Sequence, residues 1–290
     1  MPGIAVLPRG PLSHRFVFFA SDGSARERDE LAARLRRGAT VVAILPSSDL
    51  SGFASVLRAP RFDHVVAADA ALEDGLRLTA GKLFSGDIFG IEKHLPPGTD
   101  IKYMRLRDNV GRAKAIEVVS AFASESGVRR ALRNAIQQVS EELLMNALFD
   151  APVDEAGRSI FHDVSTTERR DLKSPRPVSI RFGLTDECFA VSVRDRYGSF
   201  DKQTLLDYIE KCLHSENQID RKARGAGLGL YLIAKHATQF VVNIAPGVAT
   251  EIVCTFDRRA NRVPLRVLSV FVHPGTSPAT QSLPRPARNA

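Results

Sequence analysis

The sequence predicts an α+β protein whose helices pack in a second layer on one face of a mostly antiparallel sheet. The first observation is an amphipathic segment over residues 128–151, with apolar residues at helical spacing. The second is two pairs of alternating segments, near 178–195 and 240–256, each joined by a short turn as in a β-hairpin. The third is an alternation of strand-like and helix-like segments over residues 15–98, which predicts a smaller unit with parallel strands.

The N-terminal unit contains three short apolar segments that predict buried strands, with helical patterns at 25–37 and around 71–84. The strand segments are RFVFFA, ATVVAIL and HVVAA. The turn-forming residues Pro-Pro-Gly at 96–98 follow them. We therefore expect a domain boundary there, with one domain over residues 1–98 and a second over residues 99–273.

The second domain begins with a strand-like segment at 101–107 and a helical one at 111–126, which Gly127 is placed to cap. The long amphipathic helix comes next. A polar, turn-rich span over residues 151–176 then predicts a loop. After the two hairpins, LRVLSVFV at 265–272 predicts a last strand.

Composition indicates a soluble protein. The chain has 290 residues, of which 44% are hydrophobic, and a net charge of +7. The positive excess lies at the C-terminal end, where six arginines and no acidic residue follow Asp257, rather than on a face patterned for nucleic acid. No segment approaches the ~18 apolar residues that cross a bilayer, and the N-terminus lacks a signal-peptide pattern. Three separated cysteines favour a reducing compartment. We expect a cytoplasmic protein that binds neither membranes nor nucleic acid, with a disordered tail over 274–290.

Four short stretches carry candidate chemistry, and the first is GAGLGL, in which Gly225, Gly227 and Gly229 alternate just before a helical pattern. It is not a dinucleotide fingerprint, because polar residues instead of a buried strand precede it, and no phosphate-loop lysine follows. Flexible backbone at a helix N-terminus offers N–H groups and positive potential to a phosphate. The alternative is a glycine-rich turn that serves packing alone.

The second stretch is EELLMNAL, where Glu142 and Asn146 are four residues apart and share one face of the long helix. An amide oxygen suits a Mg²⁺ ion, and a carboxylate can accept a proton. The pattern therefore indicates a metal and water site. The alternative is an ordinary exposed Glu–Asn pair.

The third and fourth stretches, VSVRDRYGSFD and PGVATEIV, place polar side chains at strand ends. Asp195 continues the inward parity of Val193, and a buried carboxylate needs a donor such as the amino group of adenine. The alternative is an aspartate that caps a turn at Gly198. Thr250 opens a strand after the turn at Gly247, where its hydroxyl could reach a phosphate. Threonine is also simply a good strand former.

In this order, the four stretches resemble the GHKL ATP-binding family, which includes gyrase-type topoisomerases, heat-shock chaperone ATPases and histidine kinases. The resemblance covers roughly residues 101–257 and implies the Bergerat ATP-binding fold, a two-layer α/β sandwich, with ATP and Mg²⁺ as cofactors. It implies that Glu142 is the catalytic base and that Asn146 holds the metal. The residues that it implies for binding ATP are Asn146, Asp195, Gly198, Gly225, Gly227, Gly229 and Thr250.

Within that family, the strand and helix at 101–126 are most similar to those of the anti-sigma-factor serine kinases. Histidine kinases carry a phosphoacceptor on a long helical hairpin, whereas His94 is followed by Leu-Pro-Pro-Gly, which stops a helix. The similarity implies a signalling regulator that phosphorylates or sequesters a protein partner of the sigma-factor, antagonist or response-regulator type. Two alternatives stay open: a non-catalytic nucleotide-gated binding module, and a histidine kinase-type catalytic domain that acts on a separate phosphoacceptor protein. A homodimer also stays open.

The sequence departs from the family pattern in two places. Where the family has D-x-G-x-G, this chain has Asp-Arg-Tyr-Gly-Ser at 195–199, so Tyr197 or Arg196 could stack on the base or block it. Asp150 stands where a basic residue commonly faces phosphate, and it would repel a triphosphate unless Mg²⁺ lies between them. Both departures argue against turnover of ATP more than against binding of ATP.

Two further segments complete the prediction. The span 201–224 predicts a lid that contains one helix. Its basic residues, just before the glycines, either contact the phosphates of the nucleotide or form an exposed, solvated segment. The apolar side of that helix comprises Leu205, Leu206, Ile209 and Leu213, and the basic residues are Arg221, Lys222 and Arg224. The N-terminal unit resembles a response-regulator receiver, which needs an acidic pair after its first strand and a phosphoacceptor aspartate after its third. Here only Asp22 follows the first strand, and Asp49 comes several residues after the strand ATVVAIL. It is therefore expected to be a degenerate receiver that does not accept phosphate.

Overall fold

The computed structural model describes residues 4–6, 15–20, 39–45, 50–60, 62–161, 164, 171–215, 236–259 and 265–273. These residues form a mixed α/β structure in which a ten-stranded sheet is flanked by five α-helices. The strands are β1 (Ile4–Val6), β2 (Arg15–Ala20), β3 (Ala39–Leu45), β4 (Phe62–Ala67), β5 (Ile101–Asp108), β6 (Lys173–Leu184), β7 (Cys188–Arg194), β8 (Gln239–Ala245), β9 (Ala249–Asp257) and β10 (Val267–Val272). The helices are α1 (Leu50–Leu57), α2 (Leu72–Ser85), α3 (Asn109–Glu125), α4 (Arg130–Met145) and α5 (Lys202–Ser215).

The sheet has the strand order β1-β2-β3-β4-β10-β8-β9-β7-β6-β5. Strands β2, β3 and β4 are parallel to one another, which confirms the parallel pairing predicted for the N-terminal unit. Strands β6 and β7 form an antiparallel pair, as do β8 and β9, which confirms both predicted hairpins. The α+β class is therefore correct.

The two predicted domains share this one sheet. Strand β4 of the N-terminal unit pairs antiparallel with β10, the last strand, which in turn runs parallel to β8. The boundary predicted near residue 98 separates two segments of the chain, but strands from both segments belong to the same sheet. Sequence patterning gives no sign of this pairing, because β4 and β10 are both apolar segments without a local partner.

Helices cover both faces of the sheet. On one face α1, α3, α4 and α5 pack over a single core that includes residues of β3, β5, β7 and β9. On the other face α2 and the segment at residues 86–95 pack over a second core with residues of β3, β4, β7, β8, β9 and β10. Ile101, at the start of β5, packs against its edge. The sheet therefore has packed elements on both faces over much of its width, rather than the single helical layer expected.

The long helix was predicted to run to residue 151. Instead α4 ends at Met145, and the next turn, Asn146–Asp150, is a wider π-helical turn. Turns of this kind occur often at functional sites, because the extra residue moves side chains out of their regular positions. Here it begins at one of the predicted site residues.

Several predictions concern residues outside the described part of the chain. They are the helix at 25–37, the receiver acids Asp22 and Asp49, the second half of the lid with its basic residues, and the tail at 274–290. In the part that the structure describes, no helix is both long and apolar enough to cross a bilayer.

Candidate functional site

A cavity of about 260 Å³ lies between the end of α4 and the sheet, and three of the predicted site residues line it together. These residues are Asn146 from the π-turn, Asp195 from the end of β7 and Thr250 from the start of β9. The apolar part of the lining comprises Leu143, Ala147, Val193, Phe200 and Ile252. The cavity is thus a mainly apolar cleft with a few polar groups, which is the usual composition of a ligand site.

Asp195 is the most constrained polar group of the cavity. It is only 5% exposed, and its Oδ1 accepts hydrogen bonds from the backbone N–H groups of Tyr197 at 2.7 Å and Gly198 at 3.1 Å. A third backbone N–H, that of Thr250, donates to the same oxygen at 3.3 Å. One oxygen of the carboxylate is therefore fixed by the protein's own backbone, as the turn-capping alternative requires.

The other carboxylate oxygen of Asp195 has no backbone donor among the described residues, and Asp195 lines the cavity. Burial raises the pKa of Asp195, while the three backbone donors oppose this rise and hold the ionised form in place. The aspartate thus caps a turn and also presents one acceptor to the cavity.

Thr250 completes this corner of the cavity. Its backbone exchanges two hydrogen bonds with Asp195, one of them from Asp195 N to Thr250 O at 2.9 Å. Its hydroxyl lies close enough to the carboxylate to lower the pKa of Asp195, yet its buried Oγ1 makes no hydrogen bond of good geometry with a described residue. A buried hydroxyl without a partner is costly, which indicates that a ligand or water completes it.

Glu142, Asn146 and Asp150 form a polar cluster at the α4 end of the cavity. With its amide nitrogen turned toward the two acids, Asn146 donates to Asp150 Oδ2 at 3.1 Å and to Glu142 Oε1 at 3.2 Å. Burial raises the pKa of Glu142, the Asp150 carboxylate raises it further, and the hydrogen bond from Asn146 opposes both effects. A carboxylate with a raised pKa is better matched to accepting a proton near neutral pH.

This cluster fits a Mg²⁺ ion that takes most of its ligands from elsewhere. Among the described residues no group of three or more His, Cys, Asp or Glu side chains could hold a metal by itself. Two carboxylates and one amide are, however, the kind of oxygen ligands that Mg²⁺ uses when phosphates and waters supply the rest. The predicted role of Asn146 as a metal ligand would require its amide oxygen to turn toward the ion.

Gly198 and Tyr197 do not line the cavity. Gly198 has φ +63° and packs against the β8–β9 turn, whose Gly247 N donates to its carbonyl at 3.2 Å. The Tyr197 ring is buried, and its hydroxyl accepts from Arg176 N at 2.9 Å. In the described structure neither residue contacts the space expected for a base, so Tyr197 neither stacks there nor blocks it.

The first half of the predicted lid is α5, and its three described apolar residues Leu205, Leu206 and Ile209 are buried as expected. The first residue of the helix, Lys202, donates from Nζ to Phe62 O at 2.8 Å and to Asp63 Oδ1 at 2.9 Å, both in the N-terminal unit. The glycines Gly225, Gly227 and Gly229 lie outside the described residues. Their position relative to the Glu142 cluster stays a prediction.

Several residues that line the cavity were not predicted from the sequence, and two of them form notable contacts. Phe200 supplies an apolar wall, and the Ser199 hydroxyl donates to Ala151 O at 2.7 Å, which ties the turn after β7 to the π-turn. The only feature of the sequence that could have indicated Ser199 and Phe200 is their position directly after the altered glycine motif. His94, which was rejected as a phosphoacceptor, has Nδ1 bonded to Gln239 Oε1 at 3.1 Å and a buried Nε2, so neither ring nitrogen is presented to solvent.

No protein-family model and no curated protein matches the sequence, so the function must be argued from the geometry of the site.

We predict that Gly198→Ala destabilises the fold much more than Gly247→Ala does. Both glycines have positive φ, which costs alanine roughly 1–2 kcal/mol. A Cβ at residue 198 would in addition lie 2.2 Å from Ala245 O, whereas a Cβ at residue 247 would meet no atom within 4 Å. The overlap adds about 1–3 kcal/mol. Urea unfolding of the two variants measures the difference, and equal losses would show that the contact between the two turns is not tight.

Proposed function

We propose that the chain is an ATP- and Mg²⁺-binding signalling regulator that phosphorylates or sequesters a protein partner. The observation that carries this proposal is the buried Asp195 carboxylate, which has one oxygen held by the backbone and lines a cavity together with Asn146 and Thr250. The resemblance of the four motifs to GHKL ATPases supports the choice of ligand.

The cavity is suited to a purine that carries an amino group. A flat base would lie between Leu143 and Ala147 on the helix side and Val193 and Ile252 on the sheet side. Asp195 Oδ2 would accept a hydrogen bond from the amino group, because an ionised carboxylate is an acceptor only. The Thr250 hydroxyl can both donate and accept, so it can pair directly or through a water with a neighbouring ring nitrogen.

The polar cluster on α4 would face the phosphate end of such a ligand. Asn146 and Asp150 would hold the Mg²⁺ ion, which would neutralise phosphate charge next to the Asp150 carboxylate. Glu142, whose pKa is raised, would accept the proton from an attacking hydroxyl, either of a serine on the partner or of water. The glycine segment would bind phosphate through its backbone N–H groups, as the sequence predicts.

A second candidate function is a nucleotide-gated binding module without catalysis. The observation that favours it is the engagement of Glu142 and Asp150 with the same Asn146 amide group, which leaves two acids side by side where a basic residue would promote transfer. In that case ATP would shift the lid between two arrangements and so change affinity for the partner.

We predict that Asp195→Asn weakens ATP binding by about tenfold or more, since a hydrogen bond to a charged group contributes about 1.5–3 kcal/mol. The asparagine Oδ1 can still accept the three backbone hydrogen bonds, so the turn is kept while the cavity acceptor becomes a donor. Isothermal titration with ATP and Mg²⁺ measures the change. Asp186→Asn, in the exposed β6–β7 turn, is the matched control and is expected to bind like the wild type. Equal affinity of the Asp195 variant would remove the aspartate from base recognition.

We also predict that Glu142→Ala retains nucleotide affinity but lowers phosphate transfer or hydrolysis by about 10²–10⁴-fold, the typical loss when a general base is removed. Radiolabelled phosphate transfer in single-turnover conditions measures it. The neighbouring Glu141→Ala is the control, because Glu141 forms an ion pair with Arg112 instead of joining the Asn146 cluster. Turnover of the Glu142 variant at the wild-type rate would exclude Glu142 as the base. Absence of turnover in the wild type, with ATP bound, would favour the gated module.

A further inference from the structure

Five arginines line a second cavity, of about 500 Å³, on the face of the sheet opposite the first one. We call it the arginine groove and define it by Arg105 and Arg107 of β5, Arg176 of β6, Arg194 of β7, and Arg196 in the turn that follows β7. Helix α2 and the segment at 86–95 cover the middle of this face and the start of β5, but Arg105, Arg107, Arg176 and Arg196 are exposed. The groove is therefore accessible from solvent.

The strand register sets the floor of the groove. Arg105 is directly opposite Ser179, and Ser179 is directly opposite Arg194, so the backbones of two arginines flank that of one serine on neighbouring strands. Adjacent strands lie about 4.8 Å apart, which places the two arginine backbones roughly 10 Å from each other. An anion above Ser179 could then be contacted from both sides.

No acidic residue lines the groove in the part of the chain that the structure describes. Arg105, Arg107 and Arg196 form no ion pair with any described residue. Arg194 differs, because burial lowers its pKa while the carboxylates of Glu251 and Asp195 raise it. Two acids on this face have partners of their own. Glu92 pairs with Arg181 at 2.8 Å, and Glu251 accepts from Gly90 N at 2.8 Å and from Asn243 Nδ2 at 3.1 Å.

Two of the arginines are held in fixed orientations. Arg176 Nη1 donates to Arg196 O at 2.6 Å, and its guanidinium lies 5.0 Å from the centre of the Tyr197 ring. The guanidinium of Arg194 lies 4.0 Å from the centre of the Phe89 ring. Like charges that are pre-organised around one space repel each other, and a multiply charged anion relieves that repulsion.

We propose that the arginine groove binds a small molecule that carries two or more adjacent phosphoryl groups. The five arginines come from three strands and a turn and converge on one cavity, whereas an extended acidic peptide or nucleic acid would need charges spaced along a line. A guanidinium pairs with phosphate oxygens through two parallel hydrogen bonds, so a few phosphoryl groups satisfy the whole set. The volume is also that of a small-molecule site.

The groove is separate from the ATP site proposed above, although the two share strand ends. Side chains alternate across the sheet, so Arg194 and Arg196 face the groove while Asp195 between them faces the first cavity. Likewise, Ala249 lines the groove and Thr250 lines the first cavity. The inference does not rest on ATP binding, and the two sites can be tested with different variants.

Titration with inorganic tripolyphosphate, without divalent cations and at low salt, tests the proposal. We expect the double variant Arg105→Gln/Arg196→Gln to bind at least about tenfold more weakly than the wild type, because each arginine contributes charge-assisted hydrogen bonds. Neither side chain has a partner among the described residues, so the fold should be unaffected.

The control is Arg77→Gln/Arg130→Gln, which removes the same charge from exposed positions on α2 and α4. An equal loss in this control would show non-specific attraction and overturn the proposal, as would full binding by the groove variant. Binding of a polyglutamate peptide in place of tripolyphosphate would overturn it in favour of an acidic protein partner. Competition with GTP then distinguishes the source: displacement supports a nucleoside polyphosphate, and no displacement supports a free polyphosphate.

Discussion

The hydrogen bonds to Asp195 Oδ1 are the constraint on which the site depends. They join the turn after β7 to the start of β9, and they fix the carboxylate at the wall of the cavity. A buried carboxylate would be unfavourable without those donors. The same contact explains why Gly198 is a glycine: the β8–β9 turn must approach its backbone closely for Thr250 to reach the aspartate. The altered glycine motif thus forms one corner of the cavity, with Gly198 serving the contact between the two turns.

The continuous sheet connects this corner with the rest of the chain. Strand β10 links the N-terminal unit to β8 and β9, and Lys202 at the start of the lid helix is bonded to the end of α1 and the start of β4. The N-terminal unit therefore contacts both the middle of the sheet and helix α5. The arginine groove lies on the back of the same strand ends. A ligand there and a ligand in the first cavity would both act on the end of β7.

The elements with a clear period were predictable, because a helix or hairpin with one buried face leaves its pattern in the sequence. The inward parity of Asp195 and the common face of Glu142 and Asn146 were found in this way. The pairing of β4 with β10 was not, since it depends on contacts about 200 residues apart along the chain. The π-turn at Asn146 and the wall formed by Phe200 depend on packing alone. The alternating arginines of β5 are visible in IKYMRLR, but only the strand order brings them beside those of β7.

A comparison of ATP with ITP shows whether Asp195 recognises a purine through its amino group. The two nucleotides differ at the base, where ITP has a carbonyl oxygen in place of the amino group. The titration should use the Arg105→Gln/Arg196→Gln protein, so that the phosphates bind only in the first cavity. We expect ATP to bind at least about tenfold more tightly than ITP, because a carboxylate cannot donate to a carbonyl. Equal affinities, or tighter binding of ITP, would show that Asp195 does not recognise the amino group.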